Sequence, residues 1–105
     1  MTVSTHVLDA ALGRPAAGVS VQLEGPSGSS DAETNADGRV TSLVDGPLEP
    51  GDYRLRFATG SYFAATGRDT FYPEVVVTFT ITDAEQHFHV PLLLSPFAYS
   101  TYRGS

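Results

Sequence analysis

Three histidines, one arginine behind an Asp-Gly pair and a run of four residues carry most of the chemistry in this sequence. His87 and His89 stand two apart in "HFHV", so on a strand both rings point to one side. His6 lies in "STHVLD". An imidazole titrates close to physiological pH, although a lone one on the polar face of a strand is most often simply solvated. Arg39 follows Asp37-Gly38, a turn that delivers its guanidinium at the start of the next strand, where taken alone it reads as an ordinary strand-edge charge. "YRGS" places a phenol, a guanidinium, a backbone free of Cβ and a hydroxyl at Tyr102, Arg103, Gly104 and Ser105.

Other chemistries fit less well. Three imidazoles without cysteine permit a zinc site of three histidines and a water, but no HExxH accompanies them. Ser27 in "GPSGS" lacks the strand, Gly-x-Ser-x-Gly and helix context of a nucleophile elbow and reads as loop polarity. Asp9 is three residues after His6 on one strand, hence on the opposite face; it reads as a strand-end cap or turn former rather than as a partner of the ring.

Composition narrows the field further. At 105 residues the chain reads as one domain, residues 1–105, with a single core. A net charge of -6 argues against nucleic-acid binding, which needs a basic surface. All six basic residues are arginines, so Schiff-base chemistry and a Walker-type phosphate loop are excluded. The absence of cysteine removes disulfides, thiolate nucleophiles and thiolate metal sites. No apolar run is long enough for a membrane span, and strand-like residues directly after Met1 leave no room for a secretory signal, so cytoplasm is the default compartment.

Period-two alternation supplies the elements that must position these groups. Val3, Thr5 and Val7 fall on one face of a first strand, Ser4 and His6 on the other. Val19, Val21 and Leu23 repeat the pattern, as do Tyr53, Leu55 and Phe57 against Arg54 and Arg56, and Val75, Val77, Phe79 and Ile81 against mostly threonine. These read as half-buried antiparallel strands. "LGRPAAG", "GPSGSSD", "NADG" and "DGPLEPGD" separate the runs, with Asp37-Gly38 as a hairpin-type turn. One stretch, "GSYFAATG", reads as two helical turns with Ser61 as N-cap and Gly67 as stop. Pro91 inside "HVPLLLSP" requires an edge, a bulge or a nearby site. Leu92, Leu93 and Leu94 do not alternate, which implies burial on both faces, by the core and by a partner subunit. The whole is an all-β sandwich.

"STHVLDAALGRPAAGVSVQLEG", "TNADGRV" and "HFHVPLLLSPFAYSTYRGS", in that order along nearly the whole chain, resemble the transthyretin-like family in its 5-hydroxyisourate hydrolase branch. The resemblance implies a transthyretin-like (prealbumin-like) sandwich of two four-stranded sheets with one short helix, assembled as a homotetramer, a dimer of dimers. It implies hydrolytic ring opening of a small-molecule substrate, 5-hydroxyisourate, in urate degradation, with no cofactor, no metal, no nucleic acid and no membrane. The family's catalytic positions fall on His6, Arg39 and His89, and its substrate-binding positions on His6, Arg39, Tyr102, Arg103, Gly104 and Ser105. His87 matches no catalytic position. The hormone-carrier branch differs at each of these places, leaving a noncatalytic carrier of small aromatic ligands as the alternative; a zinc-dependent hydrolase and a structural adaptor are the others.

Alternation adds an inference about assembly. His6 looks outward from the sandwich, where bulk water surrounds it unless something covers it. A second subunit is the economical cover, so the sites are expected in a channel between dimers.

Overall fold

Alternating apolar and polar residues build two stacked sheets, with one short helix between two strands of the same sheet. The computed structural model describes residues 2–26, 28–44 and 46–105; Ser27, weighed above as a nucleophile, lies outside the described residues. The chain runs through β1 (Val3–Asp9), β2 (Arg14–Pro15), β3 (Ser20–Gly25), β4 (Gly28–Glu33), β5 (Arg39–Val40), β6 (Gly51–Phe57), α1 (Thr59–Ala65), β7 (Val75–Ile81), β8 (Phe88–Ser95) and β9 (Ala98–Thr101). One sheet has the order β4-β3-β6-β7. The other has the order β2-β1-β8-β9, and β5 joins it by pairing with β1. Because β2 meets Leu8 and Asp9 while β5 meets Thr5 and His6, the two short strands share one edge of β1, and each sheet is four strands wide.

The core lies between the sheets and is made of the inward residues of each alternation. Val3, Val7, Leu55, Phe57, Leu92 and Leu94 are fully buried, whereas Arg54, Thr78 and Thr80 on the opposite faces are exposed. Removing these aliphatic and aromatic side chains from water is the main favourable contribution to folding. Leu92 and Leu94 point inward and Leu93 stays half-buried on the outer face, so β8 alternates despite its uniform leucines.

Three local expectations change. The strands are not all antiparallel: β1 and β8 pair in parallel, from Val3 opposite Phe88 to Asp9 opposite Leu94. Their parallel pairing requires a long crossover, here the whole of the other sheet. Asp37-Gly38 turns the chain but makes no hairpin, since β4 and β5 belong to different sheets. The helix starts at Thr59 with Ala58, not Ser61, at the N-cap, and no side chain caps it. The loop before β7 does the capping work instead: Gly60 N–H donates to Pro73 O at 2.8 Å, and buried Thr59 donates its hydroxyl to Tyr72 O at 3.0 Å. Gly67 ends the helix as expected, its N–H bonding Ala64 O while Arg68 N–H bonds Phe63 O.

Candidate active site

The outer face of the β1–β8 sheet gathers most of the residues singled out by chemistry. Residues directly opposite in a ladder share a face. Ser4 is opposite His89, and His6 is opposite Pro91 on one side and Arg39 on the other. Ser4, His6, Arg39, His89 and Pro91 therefore project together, away from the core.

Arg39 owes its place to the loop before it. Asn35 Oδ1 accepts from the N–H groups of Asp37 at 2.9 Å and Arg39 at 3.0 Å, and Gly38 N–H returns to Asn35 O at 2.9 Å. Gly38, at φ +74°, adopts a conformation that L side chains rarely tolerate, and a Cβ there would run into the Val7 carbonyl. That close approach lets Val7 N–H bond Gly38 O at 2.7 Å and locks the turn onto β1. Sequence reasoning identified the Asp-Gly pair but not Asn35, whose position two residues ahead of it was the available signal.

His89 is held by Ser4 and by Gly104. Ser4 Oγ lies 2.7 Å from its Nδ1 and 3.1 Å from His87 Nε2. Gly104 N–H donates to His89 O at 2.8 Å, continuing the β8–β9 register past a gap at Pro91 and Val90. Pro91 has no N–H to offer, and that gap is where its absence is tolerated inside an inner strand. Thr101 instead gives its hydroxyl to Pro91 O at 2.7 Å. Gly104 lies so close to the imidazole that a Cβ would stand 2.5 Å from His89 Cδ2.

A cleft of about 220 Å³ opens beside these groups, with Ser4, Arg39, His87, His89 and Ser105 in its wall. Burial holds the His89 pKa below the ordinary imidazole value, and the Arg39 charge, with the neighbouring His87 and His6 rings, adds to the effect. His89 is therefore neutral at pH 7 and able to accept a proton. Among the described residues no carboxylate pairs with Arg39, whose charge is left for a ligand.

Tyr102 and Arg103 lie elsewhere. The Arg103 guanidinium stacks 4.8 Å from the Phe88 ring centroid and bonds Gln86 Oε1 at 2.8 Å. With Tyr102, which is 59% exposed, it borders an apolar slot between the edges of the two sheets, beside Val77 and Phe79. Asp9 points into the protein, fully buried. Its carboxylate accepts from Leu12 N–H, confirming the turn-forming role, and also from Tyr62 at 2.7 Å and Arg68 at 2.5 Å. Among the described residues no group of three or more histidine or acidic side chains is placed to hold a metal ion.

A family model described as the HIUase/Transthyretin family matches residues 3–104. The chain is 47% identical over 109 residues to 5-hydroxyisourate hydrolase of Salmonella typhimurium, covering 98% of this chain and 80% of that protein. Its structure is similar to that of Klebsiella pneumoniae 5-hydroxyisourate hydrolase, with a TM-score of 0.92, 42% identity and 100% of both chains covered. Sea bream transthyretin, solved in complex with thyroxine, is more distant at 28% identity and a TM-score of 0.87, covering 99% of this chain and 95% of its own.

Proposed function

The chain belongs to the HIUase/transthyretin family, and we propose that within it this protein is a 5-hydroxyisourate hydrolase that opens the ring to 2-oxo-4-hydroxy-4-carboxy-5-ureidoimidazoline. The observation that carries the reading is the grouping of a neutral imidazole and an unpaired guanidinium in one cleft, His89 and Arg39, with His6 directly opposite Arg39. Hydrolysis of a cyclic amide needs those functions. A base takes a proton from water as the oxygen attacks the carbonyl, and a cation stabilises the negative charge that develops on the carbonyl oxygen. His6 and His89 activate water and move its proton, and Arg39 orients the substrate and stabilises the oxyanion.

Ser105 lines the cleft, and Gly104 beside it pairs with His89. Arg103, anchored on Phe88 and Gln86, holds the segment that carries them, whereas Tyr102 borders the separate slot between the sheet edges rather than this cleft. We read the chain as one domain of a cytoplasmic homotetramer, a dimer of dimers, with the sites in the channel between dimers. The outward placement of His6, Arg39 and His89 supports that reading.

Urate and urate oxidase generate 5-hydroxyisourate in the cuvette, and this protein should accelerate the loss of its ultraviolet absorbance with or without a chelator. His6→Asn and His89→Asn should each slow turnover roughly 100-fold or more in a folded protein. The pH profile should fall on the acid side below the ordinary imidazole range, because His89 with its lowered pKa is protonated, and disabled as a base, only there. Chelator-sensitive turnover would indicate zinc. Binding of a urate analogue without turnover would indicate a carrier.

A further inference from the structure

His87 matched no catalytic position, yet it stands at one end of a chain of hydrogen bonds that ends on His89. Ser4 Oγ lies between the two rings, 3.1 Å from His87 Nε2 and 2.7 Å from His89 Nδ1. Ser4 itself is buried, 7% exposed, on a strand locked to β8 by the parallel ladder. A hydroxyl has one proton, so it donates to one of the rings and accepts from the other. The chain has two internally consistent arrangements. When His89 Nδ1–H donates to Ser4 and Ser4 donates to His87 Nε2, the remaining nitrogen of His89, Nε2, holds a lone pair. When His87 Nε2–H donates to Ser4 and Ser4 donates to His89 Nδ1, His89 Nε2 carries a proton instead. The first arrangement makes His89 a base towards the cleft and the second makes it an acid.

The geometry points to His87 and Ser4 as positioning residues that form a proton relay to His89, switching it between base and acid within one turnover. The inference rests on the hydrolase reading above. Water gives a proton to His89 Nε2 as its oxygen bonds the carbonyl carbon. The Nδ1 proton then passes to Ser4 Oγ while the Ser4 proton passes to His87 Nε2, leaving His87 as imidazolium and His89 neutral with a proton on Nε2. As the ring C–N bond breaks, His89 Nε2 gives that proton to the departing nitrogen. Ser4 returns a proton to Nδ1 and His87 returns one to Ser4. One proton has left water and one has reached the leaving nitrogen, and all three side chains end as they began.

The surroundings explain why the proton is stored on His87. Half-buried His89 faces His6 from β1 and Arg39 from β5, and a second positive charge beside Arg39 is unfavourable. His87 is exposed, just outside β8, where water solvates an imidazolium. The relay moves charge from the confined end to the solvated end.

The test compares Ser4→Ala, Ser4→Thr and His87→Gln with the wild type in the 5-hydroxyisourate assay, with far-UV circular dichroism to establish folding. Ser4→Ala and His87→Gln should lower kcat on the order of tenfold, part of the range for acid–base catalysis, with KM nearly unchanged. Ser4→Thr, which keeps a hydroxyl, should recover most of the loss. The ring ¹⁵N shifts of the free protein should place the His89 proton on Nδ1 in the wild type, and Ser4→Ala should abolish that preference. His87→Gln, at an exposed position, keeps the test decisive should Ser4→Ala fail to fold. Wild-type kcat in both variants, no recovery in Ser4→Thr, or an unchanged His89 tautomer in Ser4→Ala would each overturn the relay. If the wild type itself does not speed the loss of 5-hydroxyisourate, the hydrolase reading fails, while the ¹⁵N spectra still decide whether the hydrogen-bond chain sets the tautomer.

Discussion

His89 and Gly104 meet through a backbone hydrogen bond and through the Cδ2 edge of the imidazole, which occupies the space a Cβ on Gly104 would need. The side of the ring away from Ser4 is thereby set by the absence of an atom. Gly104→Ala places a methyl 2.5 Å from His89 Cδ2 and 3.3 Å from Pro91 Cγ, so either the ring rotates off Ser4 or the β9 extension lifts away. Each response displaces His89, the proposed base, by a fraction of an ångström or more, and displacement on that scale costs up to about 100-fold in rate. The variant should keep the wild-type thermal midpoint to within a few degrees, since Gly104 lies outside the core, and lose at least about tenfold in kcat. A steady-state assay beside a thermal melt checks both, and wild-type kcat would show that the close approach has no catalytic consequence.

At the scale of elements, the helix is attached to the site-bearing sheet through one buried carboxylate. Asp9 ends β1, and Tyr62 of α1 and Arg68 just beyond it both donate to Oδ2. Burial alone would push the Asp9 pKa up; hydrogen bonds from Arg68, Tyr62 and the Leu12 N–H, with the Arg68 charge, outweigh it and hold the pKa below its ordinary 3.8. A carboxyl whose folded pKa is depressed contributes stability above its unfolded pKa and loses it as the pH falls through the folded value. This contribution is therefore complete at neutral pH and disappears only below about pH 3.8. Arg68→Ala leaves the carboxylate buried without its cation and should destabilise the fold by about 3 kcal/mol, the low end for a broken buried pair because Arg68 keeps 22% of its side chain exposed. Denaturant melts across pH should show the loss and its shift to higher pH, since Asp9 without Arg68 is more easily protonated. A variant as stable as the wild type at pH 7 would remove the ion pair as the attachment.

For the whole molecule, the outer face of the five-stranded sheet presents Leu8, Pro91 and Leu93 beside His6 and His89. Leu8 and Leu93 stay half-buried and stand opposite each other in the ladder. A face that combines the site with apolar surface is the contact the proposed dimer of dimers would use. Leu93→Glu puts a charge there without touching Leu92 or Leu94 in the core. Sedimentation should then give a species of half the wild-type mass, with unchanged circular dichroism and activity reduced on the order of tenfold or more, because water enters a site whose electrostatic effects depend on its exclusion. Full activity at half the mass would place the complete site within one dimer.

Alternation in the sequence by itself determined which face each strand residue takes, because successive side chains on a strand point to opposite sides whatever the strand pairs with. That is why the outward His6, the inward Asp9 and the core from Val3 to Ile81 were legible; Gly67 was legible as a helix stop for another local reason, the positive φ of 69° that glycine adopts without strain. Pairing is a different kind of fact. Ser4 reaches His89 across 85 positions, and Asp9 reaches Arg68 across 59. No local period encodes which strand lies beside which, so the parallel β1–β8 ladder, the serine between two histidines and the passage of "NADG" from one sheet to the other emerged only with the fold. Even the helix N-cap moved from Ser61 to Ala58 for this reason: the Gly60 N–H and the Thr59 hydroxyl found carbonyls of the loop before β7, whose proximity is decided when both sheets close over the same core.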